Sequence, residues 1–255
     1  MVDIHSHIFW GVDDGPESRE TTLEMLQVAA ESGTTDIVGT PHANSHWTPD
    51  PEEIDRQVED LNLAVNGNPR IHRGCELNVS FDSIQDALAH PRKYTVNGKN
   101  FLLVEFAPQL PPNAEDILAR LTDAGMDPIV AHAERNPTLA QNLDRLEKWC
   151  ERGVLVQITA RSLEGGFGAK SMDAGWRMLS RGLVHFVASD AHDPQNRSPR
   201  LDLAHELVQR KMGEGAAELL FTVNPAIVVE GRDPSLVCPA AALAKRGWLS
   251  FLKGR

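Results

Sequence analysis

The sequence predicts an α/β fold, a closed barrel of about seven parallel βα units. Three observations predict it. Short apolar runs alternate with amphipathic stretches. Glycines close several of the amphipathic stretches and lead at once into the next apolar run. Most of the apolar runs end in His, Asp or Glu.

Strands are expected over residues 2–5, 36–40, 70–77, 101–106, 128–132, 155–159 and 185–189. Each is a short apolar run of strand rather than helix length. Helices are expected over 21–31, 51–65, 114–124, 139–152, 169–181 and 199–211. In the first, Leu23, Leu26 and Ala30 share one side, as a helical period requires. Gly33, Gly125, Gly153 and Gly182 each follow a helix, where a left-handed residue stops it. Connections this short imply parallel strands, because each helix carries the chain back. About seven such units in roughly 220 residues point to a closed barrel. An open doubly wound sheet is the alternative. Residues 1–239, without repeat or linker, read as one barrel domain.

Residues 240–255 are different. Lys245, Arg246, Lys253 and Arg255 accompany Trp248, Leu249, Phe251 and Leu252. This basic amphipathic segment reads either as a last helix docked on the barrel or as contact with an anionic membrane surface or membrane-bound kinase.

Composition narrows the function. With 255 residues, 41% hydrophobic and 24% charged, the chain is an ordinary globular sequence. A formal net charge of −11 disfavours nonspecific nucleic-acid binding, which needs basic patches. No apolar run reaches the roughly 18 residues of a membrane span. Met1 leads directly into the first strand, so no signal peptide is expected. Cys75, Cys150 and Cys238 are few and far apart, as reduced thiols in a cytoplasmic protein would be.

The strand ends carry the chemistry. His5 and His7 end the first strand, and alternate strand residues face one side. Asp13 and Asp14 follow in the loop. His42 ends the second strand, Glu76 falls in the third, and Glu105 lies near the end of the fourth. His132 ends the fifth, and Asp190 with His192 ends the last. Barrels of parallel βα units build their active sites at this end. Singly, each residue has a plain reading. A strand-end His is a polar rim residue, and Asp13 or Asp14 can simply shape the Asp-Asp-Gly-Pro turn. Glu105 resists that reading, because it lies in the apolar run Phe-Leu-Leu-Val-Glu-Phe, and buried carboxylates seldom lack a partner or a metal. Agreement across six strands argues for a shared metal site. Imidazoles and carboxylates with no thiolate, Cys75 aside, suit Mn, Fe or Zn. There are more ligands than one ion uses, so a cluster of two or three divalent metals is expected, with Glu76 as its bridge. Such a cluster makes hydroxide available near neutral pH.

Together these segments resemble the PHP (polymerase and histidinol phosphatase) superfamily. They are Asp3-Ile-His5-Ser-His7, Val-Asp-Asp14-Gly-Pro, Thr-Pro-His42, Glu76, Val-Glu105-Phe, Ala-His132-Ala-Glu-Arg135-Asn and Ser-Asp190-Ala-His192. With Gln157-Ile-Thr-Ala160-x-Ser162-Leu and Asn224-Pro, they are similar more narrowly to the bacterial PHP-type protein-tyrosine phosphatases linked to capsule and exopolysaccharide synthesis. The resemblance implies a distorted (β/α)7 TIM-like barrel of the PHP type, in agreement with the strand count, and three ligand sets. One is His5, His7, Glu76 and Asp190; a second is Glu76, Glu105 and His132; a third is Asp14, His42 and His192. It also implies that Arg135 and Arg197 bind the substrate phosphate, for which a planar fork of charged donors is suited. Manganese is the expected metal. The implied reaction is direct hydrolysis of phosphotyrosine by a metal-bound hydroxide, on the Tyr-rich tail of a bacterial tyrosine kinase that controls exopolysaccharide synthesis. The expected location is cytoplasmic or membrane-peripheral.

Two departures from the pattern touch the pocket wall: Ala43 follows Thr-Pro-His, and Ala133 follows the fifth-strand His. A cysteine mechanism is excluded on pattern. It needs Arg six residues after the nucleophile, and Phe81, Val156 and Ala244 stand there. The competing readings are a small-molecule phosphatase acting on histidinol phosphate, a nuclease, and a noncatalytic binding scaffold.

Overall fold

The structure, a computed structural model, describes residues 1–239. The segment 240–255 lies outside the described residues.

Among these residues the strand segments are β1 (Val2–Ser6), β2 (Asp36–Gly39), β3 (His42–Ala43), β4 (Arg70–Arg73), β5 (Glu76–Asn78), β6 (Phe101–Glu105), β7 (Asp127–Val130), β8 (Leu155–Thr159) and β9 (Phe186–Ala188). Every pairing is parallel. The sheets run β1-β2-β4 and β3-β5-β6-β7-β8-β9. No ladder pairs β9 with β1. Instead, just past the end of β9, Asp190 N donates to His5 O at 2.8 Å and His7 N to Ala191 O at 2.8 Å. The ring is therefore joined at the rim where the ligand candidates lie.

The expected second and third strands are each split, and the sequence contains the reason. Pro41 has no N–H for the ladder, so β2 stops before it and the chain resumes as β3. Gly74 separates β4 from β5. A Cβ there would lie 2.9 Å from Val38 Cγ1 and 3.0 Å from Thr40 Cγ2. The two breaks stay aligned, with Gly74 N bonded to Gly39 O at 2.8 Å and Glu76 N to Pro41 O at 3.1 Å.

Helices cover the outside. Most fall within a few residues of expectation: Arg19–Glu31, Pro51–Ala64, Ala114–Asp123, Gly168–Ser180 and Asp202–Met212. The stretch 139–152 is two helices, Pro137–Gln141 and Leu143–Glu151, because the Asn142 side chain caps the second by accepting from Arg145 N. Helix Phe81–Ala89 was not anticipated. Ser80 and Ser83 form its capping box, and Ile84 and Ala87 are buried at helical spacing behind it, so the signal was present in the sequence and was not read. Beyond residue 213 the chain runs through Glu214–Glu218, a wide turn at Leu219–Val223, and Asn224–Glu230. The helix widens just before Pro225, which cannot donate to the preceding turn.

Burial follows a period of two. Phe101 and Leu103 share a cluster with Ile129, Leu155 and Phe186, while Leu102 and Val104 pack with Leu118, Leu121 and Leu146 of the helices. Alternate faces of each strand thus serve different layers. Cys75 belongs to the helix-side layer. Burial pushes its thiol well above the usual range, and it is no metal-ligand candidate. No helix among the described residues is long and apolar enough to cross a membrane.

Candidate metal centre

β1 sets His5 and His7 side by side, both fully buried, because they are alternate residues of one strand. β3 and β5 set His42 opposite Glu76 in register. β5 and β6 likewise set Asn78 opposite Glu105. His132 and Asp190 lie just beyond β7 and β9, in left-handed backbone at φ 32° and 53°. Residues other than Gly adopt that region uncommonly, His and Asp more readily than most, and such backbone gathers at functional sites. It turns the chain sharply over the barrel mouth.

Glu76 is the hub. Its Oε2 lies 3.3 Å from His5 Nε2, 3.4 Å from His7 Nε2 and 3.0 Å from His42 Nδ1, and its Oε1 lies 2.7 Å from His132 Nε2. Asp190 Oδ1 is 3.6 Å from both His5 Nε2 and His7 Nε2. Asp14 Oδ1 is 3.5 Å from His42 Nε2 and 3.3 Å from His192 Nε2. Glu105 Oε1 is 3.8 Å from His132 Nε2. Four groups have ligand atoms within 4.8 Å of one another: His7, Asp14, His42 and His192; His5, His7 and Asp190; His5, Glu76 and His132; and His42, Glu76 and Glu105. All nine ligand candidates from the sequence are thus brought together in one pocket.

The donor set fits divalent metals. His5 Nε2, His7 Nε2, His42 Nδ1 and Glu76 Oε2 are buried without a hydrogen-bond partner among the described residues. Leaving such atoms unpaired costs about 1–3 kcal/mol each, and bound cations would give them partners. Electrostatics agree. Burial opposes the charge on Glu76, but His5, His132 and His42 outweigh it and hold its carboxyl well below the usual range. Burial likewise opposes charge on His7, yet Asp13 and Glu76 raise it to about 10. His132 is raised to about 9 against its burial, by Glu76 and Asp190. Asp14 is lowered to about 2, first by its hydrogen bond with His192. The carboxylates thus draw positive charge into the pocket.

Arg135 and Arg197 flank the cluster. Arg135 Nη1 donates to Asp190 Oδ2, and Arg197 Nη2 reaches the same oxygen at 2.7 Å. Arg197 Nε is buried with no partner among the described residues. Both guanidiniums lie over the Phe167 ring, 4.4 and 5.8 Å from its centroid. Trp47 stacks on His42 at 5.5 Å and 17°, filling the wall beside Ala43.

Sequence reasoning missed four supporting residues. Asp13 does shape the turn, accepting from Gly15 N at 3.0 Å. It also accepts from His42 N at 3.0 Å and from His7 Nδ1 at 2.6 Å, so it orients one ligand ring. Asn78 donates to Glu105 Oε2 at 2.9 Å. Gln157 and Phe167 were given no role. A polar Gln inside Leu-Val-Gln-Ile-Thr was the available signal for the first; the second had none.

A parallel barrel with an imidazole–carboxylate cluster at its C-terminal mouth defines the class: a metal-dependent hydrolase barrel. The family description "Capsular polysaccharide synthesis, CpsB/CapC" matches residues 1–230. The chain belongs to the CpsB/CapC family. CapC of Staphylococcus aureus is 36% identical over 262 residues, covering 99% of this chain and 100% of that protein. Tyrosine-protein phosphatase CpsB of Streptococcus pneumoniae is 31% identical, covering 90% of this chain and 98% of its own. A solved structure described as YwqE from Bacillus subtilis and CpsB from Streptococcus pneumoniae, "unique metal-dependent tyrosine phosphatases", superposes with a TM-score of 0.84 at 29% identity, covering 94% of this chain and 99% of that one. Histidinol phosphate phosphatase from Lactococcus lactis shares the fold at a TM-score of 0.56 and 13% identity, covering 86% of this chain and 94% of that one.

Proposed function

We propose that the chain hydrolyses phosphotyrosine on a protein, in a cluster of two or three divalent metals. The observation that carries this reading is the convergence of nine candidate ligand side chains, four of whose buried atoms have no hydrogen-bond partner among the described residues, beside two arginines. In this reading His5, His7, Glu76 and Asp190 hold one metal, Glu76, Glu105 and His132 a second, and Asp14, His42 and His192 a third. The imidazole and carboxylate donors admit Mn, Fe or Zn, and we take Mn first on the resemblance alone.

When bound, the metals would neutralise phosphoryl charge and lower the pKa of a water. Arg135 and Arg197 hold the phosphoryl group by its oxygens and stabilise charge that develops there. Phe167 braces both guanidiniums from the far side. The outer half of the pocket faces solvent, with Asp14 at 44% and Arg135 at 29% side-chain exposure. That openness suits a side chain projecting from a protein over a small phosphate that must be enclosed.

The relatives' names support a tyrosine-protein phosphatase of capsular polysaccharide synthesis; the particular substrate we propose, from the resemblance, is the tyrosine-rich tail of a bacterial tyrosine kinase in capsule or exopolysaccharide synthesis. We further propose a cytoplasmic protein in which residues 240–255 approach an anionic membrane surface. Metal-loaded protein should turn over a phosphotyrosine peptide at least tenfold faster, in kcat/KM, than a phosphoserine peptide or histidinol phosphate. Chelation should abolish the activity and Mn restore it. Equal or better turnover of histidinol phosphate would sink the assignment.

A further inference from the structure

Gln157 lies on β8, fully buried, in a strand whose other residues are Leu155, Val156, Ile158 and Thr159. Its Oε1 accepts from His132 N at 2.8 Å and from His5 Nδ1 at 3.1 Å. It therefore ties together two ligand candidates that come from β1 and from the end of β7. Its Nε2 has no partner among the described residues. A residue kept only for packing would be apolar here, since an unpaired buried amide costs stability.

The two bonds fix the chemistry in sequence. A backbone N–H can only donate, so the atom facing His132 N is the amide oxygen and not its nitrogen. The same oxygen faces His5 Nδ1, so that nitrogen carries the proton. His5 Nε2 is then left with its lone pair, facing Glu76 Oε2 at 3.3 Å and Asp190 Oδ1 at 3.6 Å. The bond to His132 N also secures the left-handed turn, φ 32°, that aims the His132 ring at Glu76.

We propose that Gln157 is a positioning residue for the metal cluster, setting the His5 tautomer and anchoring the His132 turn with one oxygen. The proposal rests on the metal reading above. It has the logic of an outer partner that fixes a ligand imidazole, whose loss costs about 10–100-fold in metal affinity.

Two measurements test it. First, 15N NMR of histidine in unmodified, Zn-loaded protein should show the His5 proton on Nδ1; a proton on Nε2 overturns the proposal without any variant. Second, Mn and Zn titrations compare the protein with Gln157→Met and Gln157→Glu. Met removes the acceptor, and Glu keeps an oxygen in its place. Affinity should fall about 10–100-fold in the Met variant and return to within about threefold in the Glu variant. A Met variant that binds metal like the parent, or a Glu variant as weak as Met, overturns the proposal. A parent protein that takes up no metal at all refutes the metal reading itself, and the proposal with it.

Discussion

At the scale of single residues, the site divides into atoms that touch a ligand and atoms that hold those atoms still. Asp13 is of the second kind, with its bonds to His7, Gly15 and His42. Asp13→Ala should weaken Mn binding about 10–100-fold by isothermal titration while leaving the fold intact. Arg135 is of the first kind in the proposed reaction. Arg135→Lys keeps the charge but loses the planar fork, and kcat/KM for phosphotyrosine peptide should fall about 100-fold. A loss under threefold would remove Arg135 from phosphate binding. His185, remote from the cluster, governs stability instead. Burial pushes it from 6.5 down to about 4, and its Nδ1 accepts from Val156 N at 3.1 Å. The unfolded chain therefore takes up this proton at higher pH than the folded one. The contribution is complete above 6.5 and is lost as pH falls from 6.5 through about 4. It amounts to about 3 kcal/mol. Urea unfolding should show the parent losing about that much more than His185→Gln between pH 7 and pH 4.

At the scale of elements, strand breaks are what bring ligands into register. Pro41 and Gly74 interrupt neighbouring strands at one level, and just beyond those breaks His42 and Glu76 face each other. A Cβ at position 74 would press on Val38 and Thr40. Gly74→Ala should destabilise by about 1–3 kcal/mol, visible as several degrees in Tm, and should weaken metal binding by disturbing Glu76. Unchanged Tm and metal affinity would show that the neighbours yield freely. The strand positions and most helices were legible in the sequence, because short apolar runs and glycine stops are local signals. The splits, the helix after Ser80 and the wide turn before Pro225 were not read, although Pro41, the Ser80–Ser83 cap and Pro225 are local signals; only the Gly74 break depends on a neighbouring strand, whose Val38 and Thr40 leave no room for a side chain.

At the scale of the whole molecule, buried carboxylates from distant parts of the chain share one pocket, in a protein of formal net charge −11. Cations should therefore stabilise the entire fold. Mn at about 100 times its Kd should add roughly 2.7 kcal/mol per independent site, and chelation should lower Tm accordingly; a Tm indifferent to both would argue against a resident cluster.

Residue types and their order along the chain settled the fold class, the end of the barrel that carries chemistry, and the nine ligand candidates, since parallel βα units always deliver strand ends to one face. Which ligand faces which was decided only in three dimensions. Glu76 as hub, Asp13 and Gln157 as holders of His7 and His5, and Phe167 beneath two arginines all arise from contacts between segments far apart in the chain. Pairings of that kind leave no periodic trace in a sequence, because they depend on distances set by the assembled strands and not on the local spacing of residues.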